Sequence, residues 1–405
     1  SSLQIALAHA NVADGTDADV NVMTLLSNGS VGIGTENPSD YHANGNDFVI
    51  KTSANTGMTI VSGSSSVGNI NFADGTTGND LFAGFIQHQH GSTDKLVLGT
   101  KGANRFILDD NSRISLSNND SSGEASSTFL GYQAGNAIAS GAHKNLAIGH
   151  QALYQADAVD NSIAIGYQAL GGTDAGTCGD NIAIGNSALV ANITHVTRSI
   201  AIGSSALGSL TGATTPSDNI GIGYNAGNSM TNCSNNVAIG GSAMGEGGGN
   251  AITGGSNTAV GTSAMYQAEG AVAENTAIGY TSMMDITTGT ENTAVGSGSH
   301  ANLTTGTNNV VVGCNALNTA TTQDECIAIG KGALYALNDD AADGNVAIGF
   351  ESLVALTSGA KNVAIGYHSG KAFNGANSVI IGYEAGLDAD GGAGNSTLIG
   401  MEAGK

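Results

Sequence analysis

Asn145-Leu146-Ala147-Ile148-Gly149 returns almost unchanged as Asn181-Ile182-Ala183-Ile184-Gly185 and as Asn362-Val363-Ala364-Ile365-Gly366. The phrase is a small polar residue, an aliphatic or Thr, usually Ala, an aliphatic, then Gly. It occurs sixteen times, with closing glycines from Gly131 to Gly400. Fifteen intervals cover 269 residues, so the mean period is just under 18, ranging from 16 (Gly366 to Gly382) to 21 (Gly240 to Gly261). A short fixed period over two thirds of a chain means stacked identical units, each touching only its neighbours.

Numbering the closing Gly as zero, position −1 is aliphatic in all sixteen copies and +3 is Ala or Ser in all sixteen, while −2 is Ala in eleven. Position −3 is usually Ile, Val or Thr, and +4 is commonly Leu or Met, as in Leu153, Leu170, Leu189 and Met265. Period-2 alternation with β-branched residues is a strand signal, and the unit is too short for a helix pair. The fold class predicted is therefore all-β: a parallel β-roll or β-solenoid of about 16 short coils, preceded by a small all-β module. Strands ~4.8 Å apart give a rod of roughly 70 Å. The expected divisions are 1–45 (an N-terminal segment), 46–120 (a small all-β module) and 121–405 (the repetitive roll).

Two columns follow. The aliphatic −1 residues Ile148, Ile165, Ile184, Ile202, Ile222, Ile239, Ile278, Ile329, Ile348 and Ile365 are expected to point into the roll and form its core. The −2 residues Ala147, Ala164, Ala183, Ala201, Ala238 and Ala277 lie on the opposite strand face and are candidates for a subunit interface, with three-fold packing the usual solution for fibres. The alternative is that the Ala column faces the second strand of its own flattened roll. Phe129, Ile380 and Leu398, the large exceptions, sit toward the ends, as an interface that widens or is capped there would allow. Position −4 is Asn in ten copies, Ser in five and Cys once, a pattern suited to side-chain ladders between coils.

Composition narrows the function classes. The 405 residues carry 62 Gly, 2 Pro and no Trp, with a net charge of −22 although only 11% are charged. Acidic balance argues against nucleic acid and anionic membrane surfaces; an apolar fraction of 40% argues against disorder. No run reaches the ~18 apolar residues that span a bilayer, and Ser1–Ala13 lacks the basic segment of a signal peptide. There is no initiating Met, and the end follows a repeat without a cap, which predicts a processed product, a fragment or an end covered by another protein. Cys178, Cys233, Cys314 and Cys326 form no CxxC pair and read as free, small, mostly buried residues.

Before residue 120 the period is absent. Short strand signals run through Asp47–Lys51, Gly57–Val61, Asn69–Gly75, Phe85–His88, Leu96–Gly99 and Arg105–Asp109. Val31-Gly32-Ile33-Gly34-Thr35 with Pro38 resembles the VGIGT-x-x-P segment of phage tail-fibre proteins, and Asp47–Asp110, notably Gly68–Gly75, resembles the β module that follows it in marine phages. Asn161–Leu170 is similar to the NTAVGYQAL repeats of the same proteins and to the head repeats of trimeric autotransporter adhesins. The resemblance covers nearly the whole chain. It implies a non-enzymatic, homotrimeric virion fibre protein, extracellular, working with other virion proteins and extending or presenting contact with a host surface glycan or protein receptor. A bacterial cell-surface adhesin or filament of the same roll is the alternative implication. The self-cleaving chaperone domain that often ends such fibres is not among these residues.

Candidate sites are few. His88-Gln89-His90 puts two imidazoles on one strand face; three chains would offer six nitrogens to a transition metal, and otherwise the pair is a polar outer face. Tyr132, Tyr167, Tyr224, Tyr280, Phe350, Tyr367 and Tyr383 recur at +1, where exposed rings could stack on sugars or simply pack over the strand corner. Asp14–Asp19, Asp339-Asp340 and Asp388–Gly391 could hold Ca²⁺ but match no Ca²⁺ loop motif and read by default as solvated loops. No GxSxG, HExxH, P-loop or zinc pattern is present, and the roll calls for no cofactor.

Overall fold

A computed structural model describes residues 2–6, 21–33, 35, 38–40, 48–51, 56–90, 94–109, 114–116, 127–136, 142–155, 158–172, 177–191, 195–211, 216–245, 251–388 and 394–405. The chain divides into two compact units, Ser1–Gly102 with Leu108–Arg113, and Ala103–Ile107 with Ile114–Lys405. The described residues hold strands and two 3₁₀ turns, Pro38–Asp40 and Gly78–Phe82, and no α-helix.

Strands β1 (Ser2–Ala6), β2 (Asn21–Leu26), β3 (Val31–Ile33) and β4 (Phe48–Ile50) form one sheet, antiparallel except for the parallel β3–β4 pair. The Val31-Gly32-Ile33 motif is β3. Any Cβ on Gly32 would lie 2.7 Å from the Thr35 carbonyl and 2.8 Å from Pro38 Cγ, so the motif's glycine lets the chain fold back tightly on its strand. Gly34, Glu36 and Asn37 lie outside the described residues. A second sheet runs β5 (Val67–Phe72), β6 (Gly84–Gln89), β7 (Lys95–Thr100), β8 (Ala103–Asp109) and β9 (Ile114–Leu116) in that order. Phe85 and Val97 are buried on one face. The segment Gly57–Val61, read as a strand, pairs with none; a Cβ added at Gly68 would meet Ile60 Cγ2 at 3.6 Å.

The repeat folds as a parallel β-solenoid. Sixteen three-residue strands, from Thr128–Leu130 to Thr397–Ile399, make one sheet in strict register. Ala147 lies beside Ala164, Ala164 beside Ala183, and so on along the axis. The opposite wall is looser: Ala158–Asp160 pairs with Thr177–Gly179, and single bridges such as Gly179–Thr197 and Thr197–Ser217 continue it.

The two columns are inverted relative to the expectation. Ala147, Ala164, Ala183, Ala201, Ala238 and Ala277 are fully enclosed inside the roll; they line its own core and are not available to another chain. Ile202, Ile222, Ile239, Ile278, Ile329 and Ile365 are 36–40% exposed, and Ile148, Ile165, Ile184 and Ile348 are partly exposed on the outer face of the same sheet. Alternation separates the sets but does not say which faces inward; volume does. The interior already holds the +3 Ala or Ser, the +4 Leu or Met and a further apolar column at +7 (Leu210, Ile286, Leu303, Leu337, Leu356), all fully buried. What remains at −2 holds a methyl group in eleven coils and, at most, the side chain of Val311 where Leu317 still fills +4.

The large −2 residues follow the same rule. Phe129 shares its coil with Gly135, whose missing Cβ would lie 2.9 Å from the Phe129 ring. Ile380 is matched by Gly386, and Leu398 by Gly404. Bulk at −2 is thus exchanged for an absent side chain at +4, and no widening interface is required.

The −4 ladder is present. Asn309 Nδ2 donates to Asn292 Oδ1 (2.9 Å), Asn292 to Asn275 (3.0 Å) and Asn275 to Asn257 (3.2 Å). The same amides reach across the coil, as Asn292 Nδ2 to the Gly306 carbonyl (2.8 Å). Each ladder oxygen also takes the next coil's backbone N–H, so fully buried amides are satisfied on both sides. At each closing Gly the backbone turns with positive φ, and at all but the last, Gly400, the next coil abuts it; at Gly240 φ is 128° and a Cβ would sit 2.6 Å from the Gly261 carbonyl.

One core residue breaks polarity matching. His300 occupies the +4 slot, is fully buried, and neither ring nitrogen has a hydrogen-bond partner. Burial pushes its pKa down to about 3.

Two outcomes are expected. Ala277→Ile should lower stability by about 1–3 kcal/mol through overpacking, and adding Met283→Gly should recover part of that loss; additive losses in thermal unfolding would contradict the volume exchange. Because the unfolded state binds a proton that buried His300 refuses, stability should fall as pH drops from ~6.5 toward 3, by about 1.4 kcal/mol per pH unit from this residue. His300→Leu should remove that increment, measured as the difference between the two unfolding curves across pH.

Candidate functional site

Three features could carry function: the outer aliphatic face, the ring row at +1, and the histidine pair. The outer face is made by the −3 and −1 residues, one pair per coil, and no charged residue occurs at either position. Val310, Val312 and Ile278 are 37–40% exposed on it. Charges appear two residues earlier, at −5, where Arg198 Nε and Nη2 bond Asp218 of the next coil at 2.8 and 2.9 Å. The Arg198 guanidinium holds the Asp218 carboxyl below its ordinary range, although both are exposed.

At +1 the rings interact with one another. Phe350 and Tyr367 stack at 5.3 Å, and Tyr367 and Tyr383 at 5.4 Å, with planes within 11°. Both faces of Tyr367 are therefore covered, which leaves only ring edges outward and removes the platform a sugar would stack on. Tyr132 and Tyr167 pack edge-to-face on the intervening His150. Tyr224 and Tyr280 are more than 60% exposed. The ladder is bordered by Glu351, whose carboxylate takes Lys371 Nζ at 3.0 Å and His368 Nε2 at 3.2 Å; Lys371 first and His368 next hold Glu351 below the usual carboxylate range.

The candidate acidic loops separate. Asp14–Asp19 and Asp390 lie outside the described residues. Asp339 Oδ1 accepts the Ala341 N–H (3.0 Å) and Asp340 Oδ1 the Thr322 hydroxyl (2.7 Å), which are loop-shaping bonds.

His88 and His90 do lie together, with Nδ1 of one 3.3 Å from Nε2 of the other. The structure adds Asp94, whose Oδ1 is 3.8 Å from His90 Nδ1. Sequence reading missed Asp94 because its proximity depends on how the chain returns between β6 and β7; the i, i+4 offset was the only signal.

None of the four cysteines is in a disulfide. Cys178, Cys233 and Cys326 are buried, while Cys314, at +1, is exposed. Burial pushes the Cys233 and Cys326 thiols up to about 11.

Comparison with protein-family models, curated proteins and solved structures returned no match.

A thiol reagent on the native protein should label Cys314 rapidly, with the other three reacting only after unfolding. Fast labelling at any site in the Cys314→Ser variant would contradict the burial of Cys178, Cys233 and Cys326.

Proposed function

We propose that the chain is a structural, non-enzymatic component of a virion fibre, a homotrimeric β-rod that extends or presents a host-receptor-binding tip. The observation that carries it is the uncharged outer face repeated at every coil of the solenoid, aliphatic at −1 throughout and aliphatic or Thr at −3. Contiguous exposed apolar surface of that length marks an interaction surface, and covering it is worth about 25 cal/mol per Å². The occupant that fits is another copy of the same chain. Its coils share the axial spacing, so aliphatic rows meet in register along the entire face, whereas a surface without this period would match only locally. Three-fold association closes the set and leaves no unpaired face to propagate sideways. The likeness of Val31–Pro38, the β5–β7 region and the repeats to phage tail fibres supports the virion setting.

Light scattering at moderate salt should give a particle of three chains of 39.9 kDa each. Ile202→Asp together with Ile278→Asp should yield monomers with unchanged far-UV circular dichroism, since both side chains sit outside the coil. A monomeric parent protein, or a doubly substituted chain that still forms trimers, overturns the assembly reading.

A further inference from the structure

We infer that His88, His90 and Asp94 form a binding site for one first-row divalent transition ion, of the zinc, nickel or copper class, within each single chain. Among the described residues this is the one place where three His, Cys, Asp or Glu side chains each bring a ligand atom within 4.8 Å of the others.

The local fold explains why the groups converge. β5, β6 and β7 are antiparallel, with Gly68 opposite His88 on one side and Leu96 on the other. His88 and His90 are two apart and so project from the same face. Gly68 supplies no side chain to cover the His88 ring. The His90 backbone N–H is tied to the Ser66 carbonyl at 3.2 Å, which holds the last residue of the pair against the sheet. The rings meet edge-on, centroids 4.4 Å apart and planes at 73°.

The facing nitrogens lie 3.3 Å apart, close enough for one ring to donate to the other in the absence of an ion, and the same spacing suits two donors on one ion. Two nitrogens each 2.0–2.1 Å from a tetrahedral zinc would be roughly 3.3–3.4 Å apart. Asp94 reaches the opposite nitrogen of His90 at 3.8 Å. That is ion-pair and not hydrogen-bond distance; a carboxylate that closes the remaining gap fixes the tautomer of a metal-bound imidazole and raises its basicity. Asp94 is thus a positioning residue for His90, with a carboxylate near enough to neutralise part of the ion's charge.

The surroundings point the same way. The two histidines share a cavity of about 250 Å³ with Ile60, Ser62, Ile70, Ile86 and Leu96. Its wall is largely apolar but open to solvent, with Ile60, Ile86 and Leu96 39–47% exposed. Ser62 Oγ is buried there with no hydrogen-bond partner, a polar group left to meet a water carried by the ion. Imidazole donors select the later first-row ions over calcium or magnesium. The site stands on one chain and does not depend on the trimer.

The test is calorimetric titration of the full chain with Zn²⁺, following stoichiometry and affinity. One ion per chain is expected, with binding lost in His88→Ala and in His90→Ala, and weakened about 10–100-fold in Asp94→Asn. All three residues are at least partly exposed, and unchanged circular dichroism verifies folding of each variant. Binding that survives in the His88→Ala/His90→Ala double variant overturns the proposal. So does one ion per three chains with Asp94→Asn indifferent, which would place the histidines of several copies on a shared ion.

Discussion

The narrowness of the coil interior governs the rest of the solenoid. With two walls close together and the +3, +4 and +7 side chains already inside, the strand has room inward for a methyl group in most coils and at most for Val311 beside a filled +4 position. That requirement sends the branched aliphatics outward, where a soluble strand would ordinarily place polar groups. The outer face is apolar because the inner face must be small. The proposed association between copies is thus the other side of a packing limit, and the exchange of Phe129, Ile380 and Leu398 against Gly135, Gly386 and Gly404 shows the limit being met coil by coil.

Two backbone-level devices hold neighbouring coils at a fixed separation. The closing glycines bring one coil's turn against the carbonyl of the next, a contact no larger residue would allow. The −4 asparagines satisfy the buried polar groups that such close stacking strands away from water, each amide serving its own coil, the coil before and the opposite wall. Ser and Cys326 stand in the same row. Cys326 keeps the N–H bond to Asn309 Oδ1 at 2.9 Å, and its thiol lies 3.5 Å from the Asp324 carbonyl, but it offers no amide to the ladder.

The solenoid and its strand positions were legible because the repeat fixes phase: sixteen glycines mark sixteen strands, and the Asn row was visible as a ladder. What alternation could not reveal was the sign of the faces. The clue lay in covariation of size, since Phe129, Ile380 and Leu398 at −2 each share their coil with Gly at +4, while the smaller Val311 keeps Leu317 there. The +7 column was hidden because the loop around it varies in length and sequence. Gly57–Val61 looked like a strand from its Thr59-Ile60-Val61 content alone, but pairing depends on a neighbour that composition does not supply. His88 and His90 were readable as a pair on one face; Asp94 needed the return of the chain.

The direction of the inter-coil bonds has a mechanical meaning. They run along the solenoid axis, as in Gly166 N–H to the Ile148 carbonyl at 2.8 Å, so a pull along that axis loads them one coil at a time, like a zipper, and not many at once in shear. Each yielding coil would pay out about 18 residues, roughly 60 Å of extended chain, while the coils behind it stay wound. A solenoid of this build lengthens in near-equal steps under tension and rewinds by adding one turn to an existing template.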